Sequence, residues 1–194
     1  MGVHFFVGSL RANARGSFLV LGCVHTMSYV EVPEMLELIP IDIPNLRRLA
    51  ASEPVDLGGI EVLDGALPPA RVAAHALAQL DAGTSAHWCT PFLIVSRSAV
   101  LGSCRFRNAP ARGSVEIGYE VAESQRGQGV ATAAVRQLLL KATSSGLVQQ
   151  VVAHILPGNV ASSRVVSRLG FSEGDLIVDH DGETVALWSI QVAT

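Results

Sequence analysis

The pattern of apolar and polar positions predicts a strand and two helices in the first part of the chain. Residues 36–41 alternate between apolar and polar side chains, as a half-buried strand does, and Asp42 stands where an N-cap would begin a helix reaching Ala50. Residues 68–81 carry apolar side chains at helical spacing behind a proline, which predicts a second helix. The segment between them, residues 54–67, is rich in Gly, Pro and Asp and predicts a loop.

The second part of the chain alternates between short strand patterns and two longer helical patterns. A predicted strand at residues 114–121 leads through a glycine-containing turn into a predicted helix at residues 130–142, whose apolar side chains share one face. The other predicted elements are strands at 91–96, 100–106, 151–156, 171–177 and 184–192 and a helix at 160–169. The order β-α-α-β-β-β-α-β-α-β-β indicates an α/β fold with a mixed sheet flanked by helices.

Length and composition indicate one globular domain, which we place at residues 35–194. The chain has 194 residues, of which 49% are hydrophobic and 16% are charged, and this can bury one sizeable core. A formal net charge of -3 gives no reason to expect a basic face, so nucleic acid is not an expected partner. No apolar run reaches the length of a membrane-spanning helix, so we expect no membrane association.

Residues 1–34 are predicted to be an extension outside that domain, either poorly ordered or the product of an upstream start. Two arginines followed by the apolar residues 18–24 resemble a signal peptide, but this apolar run is at the lower limit of length for such a peptide. The bulky Leu21 also departs from the small-residue pattern of a cleavage site. Met27 and Met35 are alternative starts, and we expect a cytoplasmic protein.

The cysteines and histidines are too scattered to predict a disulfide framework or a metal site. Three cysteines without a C-x-x-C pair are expected to be reduced thiols, as in a reducing compartment. The six histidines lack the close helical pairing of a zinc hydrolase, and we expect no metal. These residues are Cys23, Cys89, Cys104, His4, His25, His75, His87, His154 and His180.

The most informative segment is the turn at residues 123–132, between a predicted strand and a predicted helix. Its glycines allow backbone N–H groups to turn toward a ligand, the helix start adds the positive end of a dipole, and Arg126 adds a guanidinium. This combination predicts a phosphate site, although a plain strand-to-helix turn also uses glycine. A Walker loop is excluded because no Gly-Lys-Ser/Thr follows, and a dinucleotide loop is disfavoured by Thr132 and by the lack of a carboxylate in residues 151–156.

Two motifs in this part of the chain resemble those of the GNAT superfamily of N-acetyltransferases. The sequence from Arg126 to Ala131 matches the Arg/Gln-x-x-Gly-x-Gly/Ala loop of that superfamily. The stretch from Asn159 to Phe171 resembles the Asn-x-x-Ser helix and closing Gly-Phe of the ribosomal-protein alanine N-acetyltransferase branch. Two motifs in this order are a far more specific sign of the superfamily than either motif alone. The resemblance covers residues 36–194, including the strand at 115–119 and the hairpin at 181–188.

The resemblance implies a fold and a set of cofactor-binding residues. The GNAT fold is an α/β fold whose central sheet is mixed, mostly antiparallel, splayed between its fourth and fifth strands and flanked by helices. Acetyl-CoA is the implied acyl donor, with its pyrophosphate on the glycine loop and its pantetheine arm in the splay. The implied cofactor-binding residues are Val121 and Glu123 through their backbones, Arg126, Gly127, Gln128, Gly129, Val130 and Ala131 in the loop, and Asn159 and Ser162 at the next helix.

The resemblance also implies direct attack of an amine on the acetyl thioester, without a covalent enzyme intermediate. Glu116 is the candidate general base, acting through a water, with a structural strand carboxylate as the alternative. Many relatives place a tyrosine five residues before the closing Phe to protonate the departing thiolate, but this chain has Val166 there, and we assign the role to Ser162. Tyr119 is expected to pack, and His154 to be a hydrogen-bonded structural histidine.

The sequence therefore predicts an acetyl-CoA-dependent N-acetyltransferase acting on a protein or peptide N-terminus or on a small amine. At pH 7 an α-amine of pKa ~8 costs about 1.4 kcal/mol to deprotonate and a lysine about 4.6 kcal/mol, so a site without a strong base favours the N-terminus. The alternative is a catalytically silent module that binds acyl-CoA, which the missing tyrosine keeps open. A nucleotide-dependent oxidoreductase is disfavoured, and a homodimer is an open alternative for the oligomeric state.

Overall fold

The computed structural model describes residues 36–97, 99–179 and 182–192. The predicted extension, residues 1–34, lies outside the described residues, so its assignment stays a prediction. The elements are β1 Leu36–Pro40, α1 Ile43–Ala50, β2 Glu61–Val62, α2 Ala70–Asp81, α3 Ala86–Cys89, β3 Phe92–Ser96, β4 Ala99–Phe106, β5 Ser114–Val121, α4 Val130–Ser144, β6 Gln150–Ile155, α5 Val160–Arg168, β7 Ser172–Val178 and β8 Thr184–Gln191.

The predicted strands and helices are confirmed, and two short elements are added to them. The ends of each predicted element agree with the structure within about two residues, the usual uncertainty of an element boundary. The predicted loop at 54–67 contains β2, which pairs in parallel with the start of β4. α3 is a single turn between α2 and β3. Neither element is long enough to have a recognisable local pattern, since β2 has two residues and α3 has four. β2 exists through its pairing with a distant strand.

The strands form an eight-stranded sheet in the order β1-β3-β4-β5-β6-β8-β7, with β2 beside the start of β4. Among the described strands, β5–β6 and β2–β4 pair in parallel and the other neighbours pair antiparallel. β5 and β6 pair only over residues 114–116 and 150–152, although both strands continue further. These are the fourth and fifth predicted strands, so the sheet opens where the GNAT resemblance predicts its splay.

Two apolar cores cover the two faces of the sheet. The first contains the buried residues of α4 and α5, among them Leu138 and Val166. The second contains the buried residues of α1 and α2, among them Leu46 and Ala73. We call the corresponding sides of the sheet the α4–α5 face and the α1–α2 face.

The side chains of β5 alternate between these two faces. Ile117 belongs to the first core and points to the α4–α5 face, as do the other odd-numbered residues of this strand. Glu120 lies opposite Ser103, which in turn lies opposite Leu93, a residue of the second core. The even-numbered residues of β5, Glu116 included, therefore lie on the α1–α2 face.

Gly102 allows β4 and β5 to approach closely at the end of β5, beyond the point where β5 and β6 separate. The register of β3 against β4 shifts here, because Ile94 pairs with Gly102 and Val95 pairs with Val100. A Cβ atom at Gly102 would overlap the backbone carbonyl oxygen of Glu120 and lie 2.9 Å from the Cα of the next residue. Backbone atoms in a paired strand move aside only at a cost in stability, so glycine is strongly favoured at this position.

Candidate active site

A glycine loop connects β5 to α4. After β5, one 3-10 turn at Glu123–Gln125 leads to Gly127 and Gly129, whose φ angles are 76° and 84°. Glycine adopts such left-handed values without steric strain. A Cβ atom at either glycine would meet no heavy atom within 4 Å beyond its chain neighbours. The backbone conformation therefore favours glycine, and the outer surface of the loop is open to a ligand.

The first turn of α4 stands at the end of this loop. α4 has 15 residues, and its N-cap, Gly129, provides no side-chain hydrogen bond to the helix. The first N–H groups of a helix have no intrahelical acceptor, and the helix dipole makes this end positive. Helix starts of this kind bind phosphate groups. The backbone at residues 126–131 therefore has the geometry of an anion site.

Two side-chain hydrogen bonds hold the loop in this shape. Gln128 donates from Nε2 to the carbonyl oxygen of Ser124 at 3.0 Å. Arg126 donates from Nε to the carbonyl oxygen of Val121 at 3.3 Å. A guanidinium has five N–H donors, so four remain on Arg126 for an anion. The Val121 carbonyl oxygen, predicted to hold the pantetheine arm, already accepts this bond and keeps its second lone pair.

The start of α5 is tied to β5 across the splay. The side chain of Asn159 caps α5, because its Oδ1 accepts the backbone N–H of Ser162 at 3.1 Å. Tyr119 donates its hydroxyl hydrogen to the backbone carbonyl oxygen of Ser162 at 3.2 Å. Burial raises the pKa of Tyr119, and the nearby side-chain hydroxyl of Ser162, as distinct from its carbonyl, offsets part of that rise. Asn159 thus shapes the Asn-x-x-Ser turn, and Tyr119 holds that turn in place.

The position of the tyrosine found in many relatives is part of the core in this chain. Val166 is 0% exposed and belongs to the first core. Its backbone carbonyl oxygen accepts the N–H of Phe171 at 3.1 Å, which closes the end of α5. An apolar, inaccessible side chain can neither donate nor accept a proton. Ser162, which is half-buried in the first turn of the same helix, offers a hydroxyl instead.

Glu116 belongs to a charged cluster on the α1–α2 face. Its Oε1 lies 3.0 Å from Nη1 of Arg107 and 3.2 Å from Nδ1 of His154. The histidine contact is at ion-pair distance but lacks the angle of a hydrogen bond. The side chains of Arg107 and Glu116 are only 20% and 14% exposed, so the guanidinium compensates a carboxylate that is largely withdrawn from water. The cluster stands where β5 and β6 begin to diverge.

The cysteines in the described part of the chain are neutral thiols. Burial raises the pKa of Cys104 to about 12, and burial also raises the pKa of Cys89. The thiolate is the reactive form, so neither residue is a nucleophile at neutral pH. Neither forms a disulfide, and Cys23 lies outside the described residues.

The described ranges also bear on metal binding and on membrane insertion. Within residues 36–97, 99–179 and 182–192, no three His, Cys, Asp or Glu side chains are grouped so that they could hold a metal ion. In the same ranges, no helix has the length and apolar character needed to cross a bilayer.

The structure gathers the predicted cofactor residues at the splay and separates the two predicted catalytic residues. The loop that follows β5 and the start of α5 border the splay, whereas Glu116 lies on the α1–α2 face. The sequence analysis missed Arg107 as the partner of Glu116. The β4–β5 hairpin places the two side by side, with the Arg107 N–H bonded to the Glu116 carbonyl oxygen at 2.8 Å. The short gap between the predicted strands at 100–106 and 114–121 was the signal that could have revealed this pair.

The fold and the loop define an α/β protein with an anion site beside a splay in its sheet. The chain belongs to the GNAT acetyltransferase family, because the family model described as acetyltransferase (GNAT) domain matches residues 46–172. The predicted superfamily and fold are thereby confirmed, and so is the predicted enzyme class, an acyltransferase. No curated protein sequence shows a significant match to the chain.

Three solved structures illustrate the similarity in fold. RimJ from Mycobacterium smegmatis, in complex with CoA-disulfide, is 23% identical, with a TM-score of 0.57 over 80% of this chain and 81% of its own. A ribosomal-protein-S5-alanine acetyltransferase from Vibrio fischeri is 13% identical, with a TM-score of 0.57 over 80% and 92%. The aminoglycoside acetyltransferase AAC(6')-Ib, in complex with coenzyme A, is 17% identical, with a TM-score of 0.58 over 81% and 95%.

Proposed function

We propose that this chain is an acetyl-CoA-dependent N-acetyltransferase that transfers an acetyl group directly to a primary amine, above all to a protein or peptide N-terminus. The observation that carries the proposal is the open loop with left-handed Gly127 and Gly129, which ends at the start of α4 beside the splay. RimJ and AAC(6')-Ib, solved with CoA species, support the cofactor. The ribosomal-protein acetyltransferase supports a protein acceptor.

The residues of the loop fit the charge and shape of the proposed cofactor. Acetyl-CoA would supply the acetyl thioester that the amine attacks. The N–H groups from Gly127 to Ala131 and the guanidinium of Arg126 would bind the pyrophosphate, because all of them are donors on one open surface. The remaining contacts with the pantetheine arm would come from the backbones of Val121 and Glu123 and from Asn159 and Ser162.

The two faces of the sheet would have different chemical tasks. Glu116 lies on the α1–α2 face, so an amine approaching from that side would lose its proton to this carboxylate through water. Ser162, tied to Tyr119 of the α4–α5 face, would donate a proton from its hydroxyl to the departing sulfur. A thiol of pKa ~8.5 leaves tolerably without a strong acid, so a serine would be sufficient.

The site favours an acceptor that loses its proton easily. Arg107 already donates to the Glu116 carboxylate at 3.0 Å, and an acceptor of low pKa needs the least help from this group. An α-amine of pKa ~8 needs about 1.4 kcal/mol to lose its proton at pH 7, against about 4.6 kcal/mol for a lysine. This difference of about 3 kcal/mol is the reason for proposing an N-terminus as the acceptor.

Thermal unfolding with added ligands tests the cofactor assignment first. At 100 times its Kd, acetyl-CoA should add about 2.7 kcal/mol to the free energy of unfolding, which corresponds to a rise in Tm of about 5–10 °C. CoA should act in the same way, whereas ATP and NAD should have little effect. A panel of amines then measures transfer. Binding without transfer to any amine would favour the silent module, and no shift with either CoA species would contradict the whole proposal.

Glu116→Gln tests the proposed base. The variant should lower kcat/KM for the amine by about 10²- to 10⁴-fold at pH 7, the usual contribution of a general base. The loss should shrink above pH 8, where the α-amine is neutral without help. Arg107→Gln serves as the control, because it disrupts the same ion pair and leaves the carboxylate. If both variants lower Tm and neither changes the pH profile of kcat/KM, Glu116 is a structural carboxylate.

A further inference from the structure

A small cavity lies on the α1–α2 face, where the proposed amine acceptor would approach. Its volume is about 170 Å³, and it opens between the start of α2 and the strands β4 and β5. One water occupies about 30 Å³, and pockets for drug-sized ligands measure about 300–1,000 Å³. The cavity is therefore suited to the end of an acceptor, of about one amino-acid residue.

Gly118 keeps this cavity open along β5. It lies between Glu116 and Glu120 on the same face of the strand, and both Gly118 and Glu120 line the cavity. A Cβ atom at Gly118 would lie 3.5 Å from Nε of Arg105, so this guanidinium extends over the glycine. The floor of the cavity therefore carries a cationic group near the middle of β5.

The cavity presents one carboxylate and two guanidiniums. Glu120 and Arg71 are exposed, both line the cavity, and neither has an ion pair or a side-chain hydrogen bond within the described residues. Arg105 lines the same cavity from β4. The charge of Glu116, one step further along β5, is already compensated by an arginine. The charges of Glu120 and Arg71 are thus available to a ligand that carries both signs.

The start of α2 adds to the positive charge at one end of the cavity. α2 begins after Pro69 with no side-chain cap, and Pro69 and Arg71 both line the cavity. The carbonyl oxygen of Pro69 accepts the N–H groups of Val72 and Ala73, so the first N–H groups of the helix are left for other acceptors. The helix dipole favours an anion at the same end as the Arg71 side chain.

We propose that this cavity selects acceptors in which a carboxylate lies close to the primary amine. Glu120 attracts the ammonium group, and Arg71 with the start of α2 binds the carboxylate. The carboxylate has two sources, the α-carboxylate of a free amino acid or the side chain of an acidic residue at a peptide N-terminus. This inference rests on the proposed function, because it places the acceptor on the face that holds Glu116.

Matched acceptors test the selectivity and identify the source of the carboxylate. Alanine is compared with alaninamide, and Asp-Ala-amide with Asn-Ala-amide, with kcat/KM measured at saturating acetyl-CoA. In one of the two pairs, we expect the acceptor with the carboxylate (alanine or Asp-Ala-amide) to have a kcat/KM about tenfold higher than its amide counterpart. This is the effect of a hydrogen bond to a charged group. A preference for alanine indicates a free amino acid, and a preference for Asp-Ala-amide indicates an acidic N-terminus.

Charge reversal at Arg71 shows whether this cavity causes the preference. In Arg71→Glu the acidic preference should fall about tenfold or reverse, with the KM for acetyl-CoA unchanged. Arg47→Glu is the matched control, because Arg47 is an exposed arginine on α1 that does not line the cavity, and it should behave as wild type. Melting curves of both variants establish that they fold.

The outcomes separate this inference from the proposed function. Equal kcat/KM for acidic and neutral acceptors, or an acidic preference that survives in Arg71→Glu, overturns the inference and leaves acetyl transfer intact. If no amine is acetylated, the proposed function fails, and calorimetry of the same acceptors in the presence of CoA decides the inference. The inference is then supported if acceptors with a carboxylate bind the wild type but not Arg71→Glu. It is overturned if acceptors with and without the carboxylate bind the wild type equally, or if Arg71→Glu binds them as the wild type does.

Discussion

Gly129→Asp should lower the affinity for acetyl-CoA by at least about tenfold more than Gly129→Asn does. Both substitutions place a side chain at a φ of 84°, where Asn and Asp are the residues that best tolerate the left-handed region. The Cβ atom of either residue would meet no other heavy atom within 4 Å, so both variants should fold. Only Asp adds a negative charge facing the proposed pyrophosphate site. Two like charges about 4 Å apart repel by up to ~4 kcal/mol at an effective dielectric of ~20, before screening by salt.

Isothermal titration of wild type and both variants with acetyl-CoA measures this difference directly. The asparagine variant controls for the strain and bulk of the new side chain, since its shape is nearly that of aspartate. Raising the ionic strength should narrow the gap between the two variants, because salt screens an exposed charge pair. Equal affinities of the two folded variants would show that the pyrophosphate does not lie on this loop.

Gly102→Ala should destabilise the fold by about 2–3 kcal/mol, the range for a side chain forced into packed structure. The new Cβ would overlap the carbonyl oxygen of Glu120 and lie 2.9 Å from the Cα of Val121, and both belong to the backbone of β5. Strand β5 must shift to accept the methyl group. The corresponding fall in Tm is about 5–10 °C for a chain of this size. The shift would also move the end of β5 that precedes the glycine loop, so acetyl-CoA affinity should fall as well.

Gly118→Ala is the matched control for this effect on stability. Gly118 lies on the neighbouring strand of the same pair, but a Cβ atom there would make an ordinary contact of 3.5 Å with the Nε of Arg105. Its free energy of unfolding should change by only about 0.5 kcal/mol, as for most substitutions without a clash. Thermal melts of the two variants side by side give the comparison. Equal and small changes in Tm would contradict the close approach of β4 and β5.

The arrangement of the site explains why its two candidate catalytic groups do not come from one motif. Consecutive residues of a strand point to opposite faces, so β5 can offer Glu116 to one side and Tyr119 to the other. Tyr119 then holds the turn that carries Ser162, at 3.2 Å from its carbonyl oxygen. In the proposed function, a strand that ends in a splay would bring an amine from one face and a thioester from the other to the same opening.

Local sequence signals predicted most of the elements and the loop that carries the proposed cofactor site. Asp42 was predicted to cap α1, and its carboxylate accepts the N–H of Asn45 at 2.7 Å. Asn159 caps α5 in the same way, a role that the Asn-x-x-Ser pattern contains but that was not among the predictions. Caps and left-handed glycines depend on a few neighbouring residues, so they can be recognised in one short window.

The sequence by itself determined the order of strands and helices, the glycine loop and, through two motifs, the GNAT family. Short stretches of sequence encode these features, since hydrophobic periodicity and turn chemistry act over a few residues. Only the tertiary structure decided which residues meet. It brings Arg107 and His154 to Glu116, and Gly102 against the backbone of β5. It also places Arg71 and Glu120 around one cavity. Each of these depends on strand register or on the packing of α2 against the sheet, which a local pattern does not encode.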